Sequence, residues 1–333
     1  MDGSPLKPLL AIVVPCYNEE EVLAGTAKKL SGKLEQLVSE EKISEGSFLL
    51  FVDDGSKDKT WALIEKFHGE NPELFRGIKL SKNRGQQNAL LCGLVSVKNQ
   101  VDAAISIDAD LQDDIDGIDQ MVEEFSKGSE IVYGVRSSRG KDGLFKKSSA
   151  QGFYKLMNWL GAEIVYNHAD FRLMGKSALE ALSEYNEVNL FLRGIVPALG
   201  FRTAVVYYER RERLAGTTKY PLPKMLKFSL DGVSSFSIKP LRLISLLGLL
   251  IFTISLVMIV YFFVRYFRGH TVTGWASIAC SIWGIGGLIL FSIGIVGEYI
   301  GKIYLETKQR PRYHVEKVLA RPGESKTDEN NVS

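Results

Sequence analysis

Two long stretches without a charged side chain lie in the last third of this 333-residue chain, at residues 243–264 and 271–297. A helix of about 20 apolar residues is long enough to cross the ~30 Å hydrocarbon core of a bilayer. The connection, residues 265–270, is short, so two helices joined by it must run antiparallel. The pattern predicts a hairpin of two transmembrane helices, at about 243–264 and 275–297, and it argues against the alternative of buried core helices in a purely soluble chain.

Basic side chains are denser at the outer ends of this hairpin than in its connection, which holds only Arg265 and Arg268. Basic residues beside membrane spans concentrate on the cytoplasmic side. We therefore expect a multi-pass protein of the inner (cytoplasmic) membrane, with both termini and the region before the hairpin in the cytoplasm. The flanking basic residues are Lys224, Lys227, Lys239, Arg242, Lys302, Lys308, Arg310 and Arg312.

Residues 1–220 alternate short apolar runs with longer amphipathic stretches. Buried strands are predicted at 9–14, 48–52, 77–80, 103–107 and 130–135, and helices at 19–41, 60–67, 84–98 and 115–127. This order is typical of an α/β domain with a doubly wound, mostly parallel sheet. Ligands of such sheets bind beyond the carboxyl ends of the strands, which is where the polar motifs of this chain fall.

The regions on either side of the hairpin give weaker signals. Further helices are predicted at 150–160 and 176–183. Residues 221–240 mix apolar residues with lysines and serines, which suits either a surface helix of the domain or an interfacial helix lying on lipid. Residues 301–333 are predicted to form a cytoplasmic basic tail that is disordered from residue 321, because its composition there is polar.

The charge balance is nearly even, with 41 basic and 39 acidic residues and a net charge of +2. Bulk charge of this size does not favour binding to nucleic acid. The three cysteines, Cys16, Cys92 and Cys280, are far apart, and only four histidines are present. We therefore expect a reducing compartment, without a disulfide framework or a structural zinc site.

An acidic motif, Asp108-Ala109-Asp110-Leu111-Gln112, directly follows the fourth predicted strand. Alternate residues of an extended segment point the same way, so Asp108, Asp110 and Gln112 can present oxygen atoms to one hard cation. Mg²⁺ typically binds one or two carboxylates together with substrate phosphates, and Mn²⁺ prefers similar oxygen ligands. The alternative is a solvated acidic turn that caps the next helix.

Two other polar motifs are ambiguous by themselves. Asp53-Asp54-Gly55-Ser56 follows the second strand, where a carboxylate can bond a nucleotide base or ribose, or simply close a tight turn. The basic loop at 210–219 contains Arg213 and Lys219. Such side chains bind phosphate oxygens, but a cationic loop just before a membrane hairpin also suits the anionic membrane surface.

Several ordered motifs together resemble family-2 glycosyltransferases of the branch that transfers sugars to polyprenyl phosphates. This branch includes dolichol-phosphate mannose synthases and bacterial bactoprenol (undecaprenyl-phosphate) glucosyltransferases, and the resemblance covers roughly residues 9–315. The matching motifs are Val14-Pro15-Cys16-Tyr17-Asn18-Glu19-Glu20, Val52-Asp53-Asp54-Gly55-Ser56, Asn83-Arg84-Gly85, the DADLQDD segment from Asp108, Asp170-Phe171-Arg172-Leu173, Phe191-Leu192-Arg193-Gly194 and the RLAGTTKY segment from Arg213.

The resemblance implies a GT-A fold, with a Rossmann-like sheet, and roles for individual residues. Pro15, Tyr17, Glu19 and Asp54 would line the nucleotide pocket. Asp108, Asp110 and Gln112 would form the donor and metal site for Mg²⁺ or Mn²⁺. Arg136, Arg213 and Lys219 would bind phosphates, and Asp170 takes the position proposed for a catalytic carboxylate.

The implied reaction is an inverting transfer of a hexose from a nucleotide-sugar donor to a polyprenyl phosphate at the cytoplasmic face of the membrane. The bacterial branch favours UDP-glucose, with UDP-GlcNAc and GDP-mannose as alternatives. Family analogy also implies a flippase partner, and glycines of the second span predict a homo-oligomer. The competing interpretations are a processive glycan synthase, which usually has more spans and a QxxRW motif, and a non-catalytic nucleotide-sugar sensor.

Overall fold

The computed structural model describes residues 7–136, 168–187, 191–209, 239–268 and 274–322. Outside the described residues lie the predicted helix at 150–160, the loop with Arg213 and Lys219, the amphipathic segment up to residue 238, and the polar end after residue 322. The chain divides into two compact units. One contains the α/β region together with residues 310–322, and the other contains the described residues from 239 to 309.

All five predicted strands are present in the α/β unit. They are β1 (Leu10–Cys16), β2 (Phe48–Asp53), β3 (Phe75–Leu80), β4 (Ala103–Ser106) and β5 (Ile131–Arg136). Every residue of β1, β2 and β4 is buried. Strands covered on both faces need apolar side chains at successive positions, which is why these strands read as unbroken apolar runs.

The four predicted helices between these strands are also present, with shifted ends. They are α1 (Leu23–Ser39), α2 (Thr60–Glu70), α3 (Gln86–Val97) and α4 (Gly117–Ser126). α1 packs through Leu23, Leu30 and Leu34, which lie on one face of the helix. It begins four residues later than predicted, because residues 18–20 instead form a loop that is bonded to the segment after β2.

Three further elements of the sheet region are not predicted from the sequence. They are β6 (His168–Gly175), α6 (Leu192–Ala198) and β7 (Thr203–Tyr208). Between them, α5 (Lys176–Glu184) confirms the predicted helix at 176–183. β6 was missed because Asp170 and Arg172 interrupt its apolar pattern, although both side chains are buried.

The predicted basic tail is partly wrong, because its residues 315–319 form an eighth strand, β8 (Val315–Leu319), that pairs with β3 in antiparallel orientation. Lys317 contacts Glu65 of α2 at 2.6 Å, and Glu316 contacts Lys79 of β3 at 2.7 Å. The predicted domain boundary at residue 220 therefore omits a strand that belongs to the sheet.

The strand order is β7-β5-β6-β4-β1-β2-β3-β8. β1 pairs in parallel with β2 and β4, β2 with β3, and β5 with β7. β6 runs antiparallel to both β4 and β5, and β8 antiparallel to β3. Six strands thus share one direction, which confirms the mostly parallel sheet. β6 brings Asp170 to the edge where β4 ends, since Ser106 is in register with Arg172.

The second unit contains two long helices, α7 (Lys239–Phe267) and α8 (Trp275–Thr307). The predicted spans at 243–264 and 275–297 fall inside them. Apolar side chains of both helices are exposed, for example Leu246 and Leu290 at 64% and 71%. Among the described residues, one helical stretch, Gly284–Thr307, meets the length and composition required to cross a membrane.

Candidate active site

The loops that follow β1 and β2 are bonded to each other. The backbone N–H of Asn18, which adopts a left-handed φ of +52°, donates to Ser56 Oγ at 2.9 Å. The N–H of Glu19 donates to Thr60 Oγ1 at the same distance. Two residues of this loop are predicted to contact the nucleotide, and their environments differ. Tyr17 is exposed, whereas Glu19 is half-buried.

Pro15 and Asp54 lie at the ends of these two strands, where both are buried. Pro15 is opposite Val52 in the β1–β2 register, and the N–H of Asp54 donates to the carbonyl of Cys16 at 2.8 Å. The pair therefore lies where the ends of β1 and β2 are joined.

Asp54 accepts two backbone hydrogen bonds. Its Oδ1 accepts from the N–H of Arg84 at 2.6 Å, and its Oδ2 from the N–H of Gly85 at 2.8 Å. Burial raises the pKa of Asp54, and these two bonds partly offset that increase. The observed role of Asp54 is therefore to hold the loop that leads into α3, and its contact with a nucleotide stays a prediction.

Gly55 is required for the close approach of these two loops. It has a φ of +66°, and a Cβ atom at this position would lie 2.7 Å from the backbone N of Asn83. A side chain would therefore push the 82–85 loop away from Asp54.

The acidic motif after β4 forms a turn that other elements hold in place. Gln86, the first residue of α3, donates from Nε2 to Asp108 Oδ1 at 2.6 Å. Thr26 of α1 donates to the carbonyl of Ala109, also at 2.6 Å. Leu111 has a φ of +44°, so the chain turns sharply between Asp110 and Gln112. The segment is therefore not an extended strand end, as the alternating-residue argument assumed.

Gln112 bonds to Asp110 within this turn. Its Nε2 donates to Asp110 Oδ2 at 2.6 Å, and its backbone N–H donates to Oδ1 at 3.3 Å. The amide group thus orients the Asp110 carboxylate in this arrangement. A role for Gln112 as an oxygen ligand of a metal stays a prediction.

Asp113 forms a buried cluster with Arg136 and Tyr208. Its Oδ1 accepts from Arg136 Nη2 at 3.0 Å and from the Tyr208 hydroxyl at 2.6 Å. Burial and the Asp113 charge raise the pKa of Tyr208 above its ordinary value, so the phenol stays protonated. Arg136, a predicted phosphate-binding residue, is therefore paired with a carboxylate at the end of β5.

Asp170 on β6 is held between two arginines. Its Oδ1 accepts from Arg172 Nη2 at 2.8 Å, and its two oxygens accept from Nε and Nη2 of Arg193 at 3.2 Å. The Ser106 hydroxyl at the end of β4 also donates to the Asp170 carbonyl. Both carboxylate oxygens are thus engaged by cations, which makes Asp170 a poor candidate for abstracting a proton.

These groups share one region of negative charge. The pKa of Asp108 is well above its ordinary value because of burial, and then because of the charges of Asp170, Asp113 and Asp110. Arg193 partly offsets this increase. The structure therefore brings three predicted residues, Asp108, Asp110 and Asp170, into one acidic cluster.

Two of the predicted site residues, Arg213 and Lys219, lie outside the described residues. Five other residues belong to this region without having been predicted as site residues. Gln86, Arg172 and Arg193 contact the acidic cluster, and the charge of Asp113, which is bonded to Tyr208, acts on Asp108. Arg172 and Arg193 lie in the motifs DFRL and FLRG, so these motifs could have indicated both as site residues. Tyr208 ends a strand that was missed, and nothing around it in the sequence marks it.

Comparison with protein families identifies the class of enzyme to which this fold and acidic cluster belong. Residues 11–183 match the family described as glycosyl transferase family 2, and residues 239–303 match the GtrB C-terminal hairpin. The chain belongs to glycosyltransferase family 2, and it is a glycosyltransferase. The first match spans β1 to α5, and the second spans α7 and most of α8.

Relatives match over almost the whole chain. The prophage bactoprenol glucosyl transferase homolog of Escherichia coli (strain K12) is 36% identical over 93% of this chain and 99% of its own length. The bactoprenol glucosyl transferase of Shigella phage SfX is 38% identical over 91% and 97%. An uncharacterized glycosyltransferase, YkoT of Bacillus subtilis (strain 168), is 54% identical over 93% and 92%.

Proposed function

We propose that this enzyme transfers glucose from UDP-glucose to a polyprenyl phosphate at the cytoplasmic face of the membrane, with inversion at the anomeric carbon. The observation that carries the proposal is the similarity to bactoprenol glucosyl transferases, which extends through both the α/β unit and the hairpin. An acceptor with a long isoprenoid tail requires a membrane-bound enzyme. The exposed apolar surfaces of α7 and α8 supply that attachment.

The acidic cluster suits a divalent cation, Mg²⁺ or Mn²⁺. Asp108 and Asp110 offer carboxylate oxygens, which hard cations prefer, and the neighbouring carboxylates that raise the pKa of Asp108 would favour a bound cation. Within the described ranges, no three His, Cys, Asp or Glu side chains form a complete metal site. We therefore assign Asp108 and Asp110 as the protein ligands, with the remaining ligands from substrate phosphates and water. The bound cation would stabilise negative charge on the departing diphosphate.

The transfer itself is a single displacement. An oxygen of the lipid phosphate forms a bond to C1 of glucose while the bond from C1 to the diphosphate oxygen breaks, which inverts the configuration. A phosphate monoester has a second pKa of about 6, so at pH 7 the nucleophile is already largely deprotonated. No strong general base is needed, which agrees with the engagement of both Asp170 oxygens by arginines.

The test uses the full chain in detergent with undecaprenyl phosphate and labelled UDP-glucose, UDP-GlcNAc or GDP-mannose in parallel. We expect a single hexose on the lipid, formed from UDP-glucose, with the anomeric configuration opposite to that of the donor. Product from a different donor would replace the sugar assignment. Polymer would indicate a processive synthase, and donor binding without product would indicate a sensor.

The metal assignment has its own test. Asp110→Asn keeps the size of the side chain and removes its charge, and we expect a loss of 10²–10³ in kcat, the scale of one lost transition-state contact. Asp114→Asn, in the same segment, is the control. Turnover by Asp110→Asn that equals the wild type, at limiting Mn²⁺, would contradict the assignment.

Two further proposals concern assembly. Apart from the nearby helix backbone, a Cβ added at Gly284, Gly286, Gly287 or Gly294 of α8 would meet no described atom within 4 Å, which leaves room on this helix for a second copy of the hairpin. A flippase that moves the product lipid across the membrane is the partner that the reaction requires if the sugar is used on the other side. Cross-linking of cysteines introduced at these glycines tests the homo-oligomer.

A further inference from the structure

Arg193 is a half-exposed arginine at the edge of the acidic cluster, with 34% of its side-chain surface exposed. Two of its N–H groups, on Nε and Nη2, donate to Asp170. A guanidinium has five N–H groups in a planar fork. No hydrogen bond from the other three N–H groups to a described residue is present, so this partly exposed side chain has donors left for a ligand.

Buried residues fix the orientation of the Arg193 guanidinium. Asp170 is 8% exposed, and Arg172, which contacts it at 2.8 Å, is 1% exposed. The backbone around Arg193 is fixed as well, because the N–H of Leu192 donates to Gln87 Oε1 at 3.1 Å. Holding an arginine in one position before binding removes part of the entropy cost of ligand capture.

The other arginines of the cluster are less suited to meet a ligand. Arg172 is buried, and Arg136 is paired with Asp113 and bonded to Tyr208. Phosphate groups entering a region of several carboxylates need a cationic side chain as a partner. Among the arginines of the cluster, Arg193 is the most exposed.

We propose that Arg193 binds a phosphate oxygen of a substrate, and that Asp170 and Arg172 are positioning residues that direct its guanidinium. The phosphate belongs either to the donor diphosphate or to the lipid acceptor. This inference rests on the proposed function, since that function supplies both phosphates.

The test compares Arg193→Gln with the wild-type full chain in detergent. One arm measures the Kd of UDP and of uridine, and the other measures KM for undecaprenyl phosphate at saturating donor. If the donor diphosphate is the ligand, UDP binding weakens about 10- to 100-fold while uridine binding is unchanged. If the lipid phosphate is the ligand, its KM rises by a similar factor while UDP binding is unchanged.

Arg193→Gln leaves Asp170 its bond to Arg172, so the fold is expected to survive. Arg193→Lys keeps the positive charge but loses the planar set of donors, so its effect on binding should be about a third or less of that of Arg193→Gln. If Arg193→Gln does not fold, Arg193→Lys alone tests the phosphate contact. Arg202→Gln is the matched control, because Arg202 is exposed at the opposite, amino end of β7.

The proposal is overturned if Arg193→Gln changes neither the ratio of UDP to uridine affinity nor the KM for the lipid. A fall in kcat alone also overturns it, because it would indicate that the ion pair with Asp170 is merely structural. A wild-type chain that binds nucleoside diphosphate but makes no glucosyl lipid would refute the proposed function instead. The UDP and uridine arm would then decide the role of Arg193.

Discussion

Replacement of Gly93 by alanine tests whether α3 is pressed directly onto the central strands. A Cβ at this position would lie 2.8 Å from Val52 Cγ2, and closer still to Val13 Cγ1. Ordinary contacts between carbon atoms are about 3.5–4.0 Å. Both valines are fully buried, and their branched side chains have few alternative rotamers. The new methyl group therefore forces α3 outward.

The expected size of this effect follows from two opposing contributions. Overpacking of a buried site costs about 1–3 kcal/mol, whereas exchange of glycine for alanine inside a helix gains about 1 kcal/mol. Because two stiff neighbours are in the way, we expect a net loss of about 1–2 kcal/mol. In a unit of about 200 residues, this lowers Tm by about 2–8 °C. Displacement of α3 also moves Gln86 away from Asp108, so kcat should fall.

The assay is thermal unfolding of the full chain in detergent, with Gly32→Ala as the control. Gly32 is exposed in α1, where a Cβ would have no neighbour within 4 Å. The same methyl group should therefore raise Tm by about 1–4 °C, through helix propensity alone. A Gly93→Ala protein that melts at or above the temperature of Gly32→Ala would refute the packing argument.

Three other predictions follow from the α/β unit and its site. Asp54→Asn replaces one acceptor oxygen by an NH₂ group, so one of the two backbone N–H groups that Asp54 accepts from loses its partner. The free energy of unfolding should fall by about 1.5–3 kcal/mol and Tm by about 3–12 °C, with Ser31→Ala on the surface of α1 as the control. A chain ending at residue 309 loses β8 and leaves β3 as an open edge, so gel filtration should show aggregation that the chain ending at 322 does not show. Cys16 and Cys92 are buried and burial raises the pKa of both thiols, that of Cys92 to about 12, so mass spectrometry should detect their alkylation at pH 8 only after denaturation.

The central strands were predictable because burial on both faces demands apolar residues without interruption, as in Phe48–Asp53. β6 was not predictable by this rule. Its Asp170 and Arg172 are charged but buried, and they form an ion pair, which no pattern of hydrophobicity can show. β8 was missed for a different reason. A five-residue edge strand whose second and third residues, Glu316 and Lys317, are charged resembles a polar tail until its partner, β3, is known.

The site was predictable in its position and less so in its contacts. Parallel strands bring their carboxyl ends together, so the placement of Asp54 and Asp108 at one edge followed from the order of elements. Which atoms they bond depends on loops that approach from elsewhere. The hydrogen bonds from the backbone of residues 84–85 to Asp54, and those from Arg193 to Asp170, are visible only in the three-dimensional structure.

The position of β8 has a consequence for synthesis on the ribosome. Chains are made from the amino end, and domains generally fold as they emerge. Here the last strand of the sheet follows α8 in the sequence, so a nascent chain cannot complete its catalytic unit before both hairpin helices have been translated. A polypeptide that stalls before residue 315 therefore lacks the strand that pairs with β3.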